Sequence, residues 1–417
     1  MTDHNKNAPK ANEKLDTTII AKLGLTREEF QKFSEPKPNT PKEYIDINPE
    51  IVIAKIKENM VITNIEKVEK FPAKKGEYYM MRMINFIQLF HKGRVEPTHF
   101  FKKNYKSYRG ENLNNKCLFC WVFGAGVGDM LFQQAILRDL KKTYPRAFIT
   151  FAVPTHYINF VQSWGTVDRV ISNITNVKHF LNADYHLNFE FVIRSRKGFE
   201  ENVYLNFAKR ASIKNFSKAD AVPQISVNPE YRRYWIKELD KRKIKDNFII
   251  LNFRSGNLMR IPRFQTQLNI LNSLLEKKPD INIVFIDEQD QYQIINKLIK
   301  HCKVPKRCYN FCKLSDSIIS SVALVSLSKL VISVDTGVIH IAAAVGIPIF
   351  GLYGPFPASI RISTYPNCEW VDDSGLDCNG CMEHDLAECK NSYKGHPVCY
   401  DQYDTDVIVK EALTLIK

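Results

Sequence analysis

No apolar run in this sequence reaches the ~18–20 residues that a membrane-spanning helix needs. The first residues, "MTDHNKNAPKANEKLD", lack the apolar core of a secretory leader, so the expected location is cytoplasmic. There the ten cysteines are expected to be reduced thiols or metal ligands, not disulfides. No repeat of solenoid period occurs, which sets aside stacked-repeat architectures. Acidic residues are in deficit. There are 45 Asp and Glu against 59 Lys and Arg, a net charge of +14. That surplus favours a polyanionic partner: nucleic acid, an anionic glycolipid at a membrane surface, or a nucleotide ligand.

What is present reads as globular. Hydrophobic residues make up 44% and aromatics 12%, and 417 residues favour two or more domains. Residues 1–50 are polar and contain the Pro-rich "SEPKPNTPKEY", so a flexible N-terminal segment is expected. Residues 51–115 form a basic extension of unknown fold. From Ile51 to Lys116 there are 14 Lys and Arg against 6 Glu, with aromatics interleaved. From Lys116 the texture becomes strand, turn, helix. "KCLFCWVF" predicts a buried strand, "GAGVGD" a turn and "MLFQQAILRDLKKTYP" a helix with Phe132, Ile136 and Leu140 on one stripe. The alternation restarts at "NFIILNF" after the polar helix "EYRRYWIKELDKRKIKD". Two α/β domains are therefore expected over residues 116–240 and 246–400, with a terminal helix over 401–417.

Four stretches carry candidate chemistry. Asp335-Thr336-Gly337, with His340 one turn on, stands where the strand "LVISV" meets a helix. Asp335 or Thr336 can cap that helix, Gly337 permits close backbone approach, and the free N–H groups offer an anion site. The second stretch, "FGAGVGDMLFQQ", places Gly124, Gly126 and Gly128 before Asp129. The spacing is G-x-G-x-G, which departs from the dinucleotide fingerprint. Asp129 is either a helix cap or a general base toward an acceptor hydroxyl. The third stretch is the loop "NFRSGNLMRIP", which sets Arg254, Ser255 and Arg260 at a strand's carboxyl end, where arginine can fork onto phosphate oxygens. Last, Cys378, Cys381, Cys389 and Cys399 form C-x2-C-x7-C-x9-C, with His384 and His396 among them. This is a candidate structural zinc knuckle, set against a compact loop of free thiols. Cys117 and Cys120 share a strand at offset three, on opposite faces, and read as core.

Two of these stretches, extended, resemble glycosyltransferase family 9, the ADP-heptose:lipopolysaccharide heptosyltransferases and their relatives. They are "GVGDMLFQQAILRDLKKTYPRAFITFAVP" and "LVISVDTGVIHIAAAVGIPIFGLYGP". The resemblance covers about residues 116–417. It implies the GT-B fold, two Rossmann-like domains facing across a cleft, here with an N-terminal extension. It implies an N-terminal acceptor domain and a C-terminal nucleotide-sugar domain. Asp129 then matches the proposed catalytic base, and Asp335, Thr336, Gly337 and His340 match the nucleotide-sugar signature. Arg254, Ser255 and Arg260 match the donor-phosphate loop, where the family more often has Thr and Lys. Asp287 or Glu288 falls near the acidic residue expected on the ribose. The family inverts at the anomeric carbon and needs no divalent metal for catalysis.

Three functions follow as expectations. The first is transfer of a sugar from a nucleotide-diphosphate-sugar to lipopolysaccharide or another surface glycan. The second is the same chemistry on hydroxymethylated bases of DNA, with Lys102, Lys103, Lys106 and Arg109 meeting phosphates. The third is a nucleotide-sugar-binding module without catalysis, against which the retention of Asp129 and the Asp-Thr-Gly-x-x-His set speaks.

Overall fold

The computed structural model describes residues 51–63, 70–98, 105–190, 192, 201–244, 247–382, 389–393 and 396–416. The expectations for residues 1–50, Lys102, Lys103 and His384 lie outside the described residues.

Two parallel sheets organise the chain. The first contains β6 (Cys117–Trp121), β7 (Phe148–Val153), β8 (Arg169–Ser172) and β10 (Tyr185–Asn188) in the order β10-β6-β7-β8. The second contains β11 (Phe248–Asn252), β12 (Asn282–Phe285), β13 (Cys308–Asn310), β14 (Leu330–Val334), β15 (Ile349–Leu352) and β16 (Cys368–Val371). Its order is β13-β12-β11-β14-β15-β16, the doubly wound order in which the chain runs outward from the first strand on both sides. Continuous apolar runs such as "FIIL" and "LVISV" suit strands buried on both faces. Each sheet therefore has a switch point, between β6 and β10 in one and between β11 and β14 in the other. In such sheets ligands bind outside the carboxyl ends of the strands at these points.

The basic extension folds as an antiparallel sheet. β1 (Ile51–Ile56) pairs with β4 (Tyr78–Arg82) and β5 (Val95–Pro97), and β9 (Thr175–Asn176) of the first domain joins the edge of β4. Its Ile53 and Met80 pack on Phe119, Trp121 and Phe123. Alternation along β6 explains the docking. Leu118, Cys120 and Val122 face the helix Val127–Thr143, whereas Phe119 and Trp121 face the extension. The second face of the first domain is thus covered largely by a sheet where a doubly wound domain would place helices.

The chain between the two sheets sits differently from its expected place. The polar helix Pro229–Lys241 belongs with the second domain. Trp235 on it stacks on Phe311 at 5.4 Å and donates Nε1–H to the Ser320 carbonyl at 2.8 Å. The chain therefore leaves the first domain before Pro229, not at 240, because Trp235 finds its apolar partners beyond the linker. The terminal helix Thr405–Thr414 covers the outer face of the second sheet through Ile408, Val409 and Ala412.

Candidate active site

The site is built on the helix starts that face each other across the two switch points. In the first domain, β6 runs into the glycine loop and then into the helix Val127–Thr143. Some of the loop's amides are already bonded within the chain. The buried Glu190 carboxylate accepts the N–H groups of Phe123 and Gly124, the latter at 2.8 Å. Tyr157 Oη ties the Ala125 carbonyl at 2.9 Å. Burial pushes the Tyr157 phenol pKa up, and the charges of Asp129 and Glu288 add to this, so the cleft brings one carboxylate from each domain toward this phenol. Asp129 Oδ2 accepts the Gly126 N–H at 2.9 Å, the returning half of a capping box. Its other carboxylate oxygen is not engaged in that cap.

In the second domain Asp335 directly follows β14 and is buried. It does not cap the following helix, and neither does Thr336, whose side chain makes no cap hydrogen bond. Asp335 instead accepts from Arg260 Nη1, at 3.0 Å to Oδ2 and 3.3 Å to its carbonyl. Burial opposes the ionised form of Asp335, but the Arg361 and Arg260 guanidiniums outweigh it and hold its pKa below the usual carboxylate range.

Gly337 serves a close approach to protein. A Cβ there would lie 2.8 Å from Val127 Cβ of the other domain. Gly128 mirrors it, since a Cβ would meet His340 Cδ2 at 2.5 Å. The two glycines let the helices Val127–Thr143 and Gly337–Val345 abut at their N-terminal ends, which gathers two positive dipole ends at one place. His340 is accordingly an interdomain residue, 3% exposed, with Phe132 edge-on at 4.7 Å and Tyr365 Oη at 2.7 Å from Nδ1. Burial lowers its pKa to about 4, so it is neutral at physiological pH.

Arg254 meets acids, not open space. Its Nη1 reaches Asp287 at 3.3 Å, Asp290 at 3.3 Å and Glu288 at 3.5 Å. Burial raises the Asp287 carboxyl to about 6, although Arg254 pulls the other way. Glu288 and Asp290 are exposed, Asp287 is not, and Ser255 is buried below the loop. Sequence reading missed Glu190, Arg361, Tyr204, Tyr365 and Tyr157. Only Glu190, an acid directly after an apolar strand end, left a local trace.

The cysteine loop is partly assembled. Burial raises the Cys399 thiol pKa to about 12, and the thiols of Cys381 and Cys389 act on it as nearby charges. Asn391 Nδ2 lies 3.1 Å from Cys378 Sγ. Among the described residues no three His, Cys, Asp or Glu groups converge as ligands. Cys117 is half-buried and Cys120 fully buried in β6. No described helix is long and apolar enough to cross a membrane.

The family model for glycosyltransferase family 9 (heptosyltransferase) matches residues 269–366. Comparison with curated protein sequences finds no match. Among solved structures, a family 9 glycosyl transferase from Veillonella parvula is 15% identical, with 73% of this chain and 98% of that one covered and a TM-score of 0.58. The E. coli ADP-heptose LPS heptosyltransferase II is 14% identical over 72% and 98%, with a TM-score of 0.55. The iron-containing dodecameric glycosyltransferase TibC of enterotoxigenic E. coli is 10% identical over 87% and 90%, with a TM-score of 0.51. The chain has the GT-B fold.

Proposed function

We propose that this chain, with a GT-B fold and a glycosyltransferase family 9 segment over residues 269–366, is an inverting glycosyltransferase using a nucleotide-diphosphate-sugar donor. The observation that carries the reading is the abutment of two helix N-termini beside Asp129, Arg260 and Arg361. Two helix N-terminal dipole ends beside the Arg260 guanidinium suit the oxygens of a diphosphate. Asp129, capped through Oδ2, uses Oδ1 to take the proton of an acceptor hydroxyl. The hydroxyl oxygen attacks the anomeric carbon, the bond to the diphosphate oxygen breaks, and the leaving charge meets Arg260 and the helix ends. In this reading the chemical step is assigned to protein groups. Arg254 acts at one remove by holding Asp287, Glu288 and Asp290, and Glu288 is an exposed carboxylate available to a ribose.

The donor class that fits the relatives is ADP-heptose, and the acceptor is a lipopolysaccharide or surface glycan reached at a membrane surface. A second reading, transfer to hydroxymethylated DNA bases, is favoured by one observation, the 14 to 6 basic excess over residues 51–116. One experiment separates these readings. The protein is incubated with nucleotide sugars and each acceptor, and products are read by mass spectrometry. A glycosylated acceptor is expected, together with loss of turnover and retained donor binding in Asp129→Asn. Full activity of that variant would remove the base assignment, and donor binding without any product would leave a binding module.

The thiols of Cys378, Cys381, Cys389 and Cys399 are proposed to hold a structural zinc or iron ion. Soft thiolate donors suit either metal, and the ion would tie one loop together.

A further inference from the structure

The peptide that joins Ala125 to Gly126 is gripped on both sides. Its C=O and its N–H belong to one planar unit, so turning one turns the other. Tyr157 Oη donates to the Ala125 oxygen at 2.9 Å, and the Gly126 N–H donates to Asp129 Oδ2 at 2.9 Å. A buried phenol and the candidate base therefore share a single peptide group. The hydrogen bond on the carbonyl also polarises the N–H toward the carboxylate.

The phenol is itself held in place. Tyr157 is buried on the short 3-10 turn Thr155–Tyr157, which follows β7 at the carboxyl end of the sheet. The Tyr157 N–H donates to the Pro154 carbonyl at 2.8 Å, and Thr155 Oγ1 lies 2.9 Å from Ser172 Oγ at the end of β8. Burial keeps the phenol protonated, so it has a hydrogen to donate.

The loop needs such an anchor because of its glycine. Gly126 is extended, at φ −80° and ψ 171°. A flip of the Ala125–Gly126 peptide carries the φ of Gly126 to the positive side, which glycine adopts freely and other residues resist. In the flipped unit the Ala125 oxygen, not the Gly126 N–H, turns toward the Asp129 carboxylate. Two oxygens then repel, the cap is lost and the carboxylate swings. The Tyr157 hydroxyl opposes the flip, because the carbonyl must give up its donor to turn.

We infer that Tyr157 is a positioning residue that locks the Ala125–Gly126 peptide and, through it, aims the Asp129 carboxylate with Oδ1 left for an acceptor hydroxyl. The consequence for rate rests on the proposed role of Asp129 as base, but the lock does not.

The test reads the amide of residue 126 in the 15N-labelled full chain, and Gly126→Ala identifies the signal. The native amide proton is expected downfield and protected, as for an N–H on a carboxylate. Tyr157→Phe is expected to move it upfield and to speed its exchange by about tenfold, the loss of one hydrogen bond, while the interior amides of the helix Val127–Thr143 are unchanged. Adding Gly126→Ala to Tyr157→Phe is expected to restore slow exchange, because alanine fits the extended peptide and resists the flipped one. A Cβ there meets only Asp129 Oδ2, at 3.5 Å. Steady-state rates read the consequence: Tyr157→Phe is expected to lower kcat about tenfold with the donor KM unchanged. A native residue-126 amide that exchanges like a free peptide overturns the inference without any variant. So does an unchanged amide in a folded Tyr157→Phe, or a double variant that exchanges as fast as Tyr157→Phe alone. A native kcat alongside a freed amide overturns the positioning role. A native chain that transfers no sugar overturns the base reading, while the amide signal still decides the lock. Circular dichroism of each variant shows that the chain is folded.

Discussion

Gly128 and Gly337 are the residues whose meaning changed most between sequence and structure. Each reads in sequence as a turn glycine before a ligand, yet each removes a side chain so that a helix of the other domain can pass. Gly128→Ala places a methyl 2.5 Å from His340 Cδ2, inside van der Waals contact. The expected cost is about 1–3 kcal/mol of stability, as for overpacking elsewhere, read as a lower midpoint in thermal unfolding. An unchanged midpoint would show that the two helices do not abut in solution. Asp335 was legible as an important acid at a strand end. Its partners were not, because Arg260 precedes it by 75 positions and Arg361 follows it in a separate turn, and only the fold converges them.

The strand–loop–helix unit at the first switch point was legible as an element but not in its wiring. Apolar runs of strand length and the "LFQQAILRDL" stripe place β6 and its helix correctly. The glycine loop between them takes its shape from Glu190, which arrives after β10, 66 positions along from Gly124. Glu190→Ala is expected to lose both amide contacts, which share Oε1, and to cost about 1–3 kcal/mol locally. Hydrogen exchange at Phe123 and Gly124 then quickens while the following helix stays protected, and equal exchange in both proteins would sink the assignment. The cysteine loop belongs to this scale as well. Metal analysis of the protein purified without chelator is expected to find about one zinc or iron per chain. A metal-free protein that unfolds as the native one does would leave the four thiols as loop packing.

For the whole molecule, the basic extension does more than carry charge. Its sheet seals the face of β6 and β7 that helices would otherwise cover, through Ile53 and Met80 against Phe119 and Trp121. Met80 is fully buried. Met80→Ala is expected to cost about 2–5 kcal/mol. Chemical denaturation measures that loss, and a cost near zero would mean that the extension only leans on the domain.

The sequence by itself determined the α/β alternation, the two parallel sheets and the positions of Asp129 and Asp335 at strand-to-helix corners. Those properties follow from local apolar periodicity and turn chemistry, which act within a few residues. Tertiary structure alone decided that Arg254 is held by acids, that Arg260 is held by Asp335, that the glycine loop is filled by Glu190, and that His340 faces the other domain. These depend on contacts between segments 33 to more than 200 positions apart, as with Gly128 and His340. Such contacts form only when the switch points of two sheets are folded against one another, a geometry that no short window of sequence encodes.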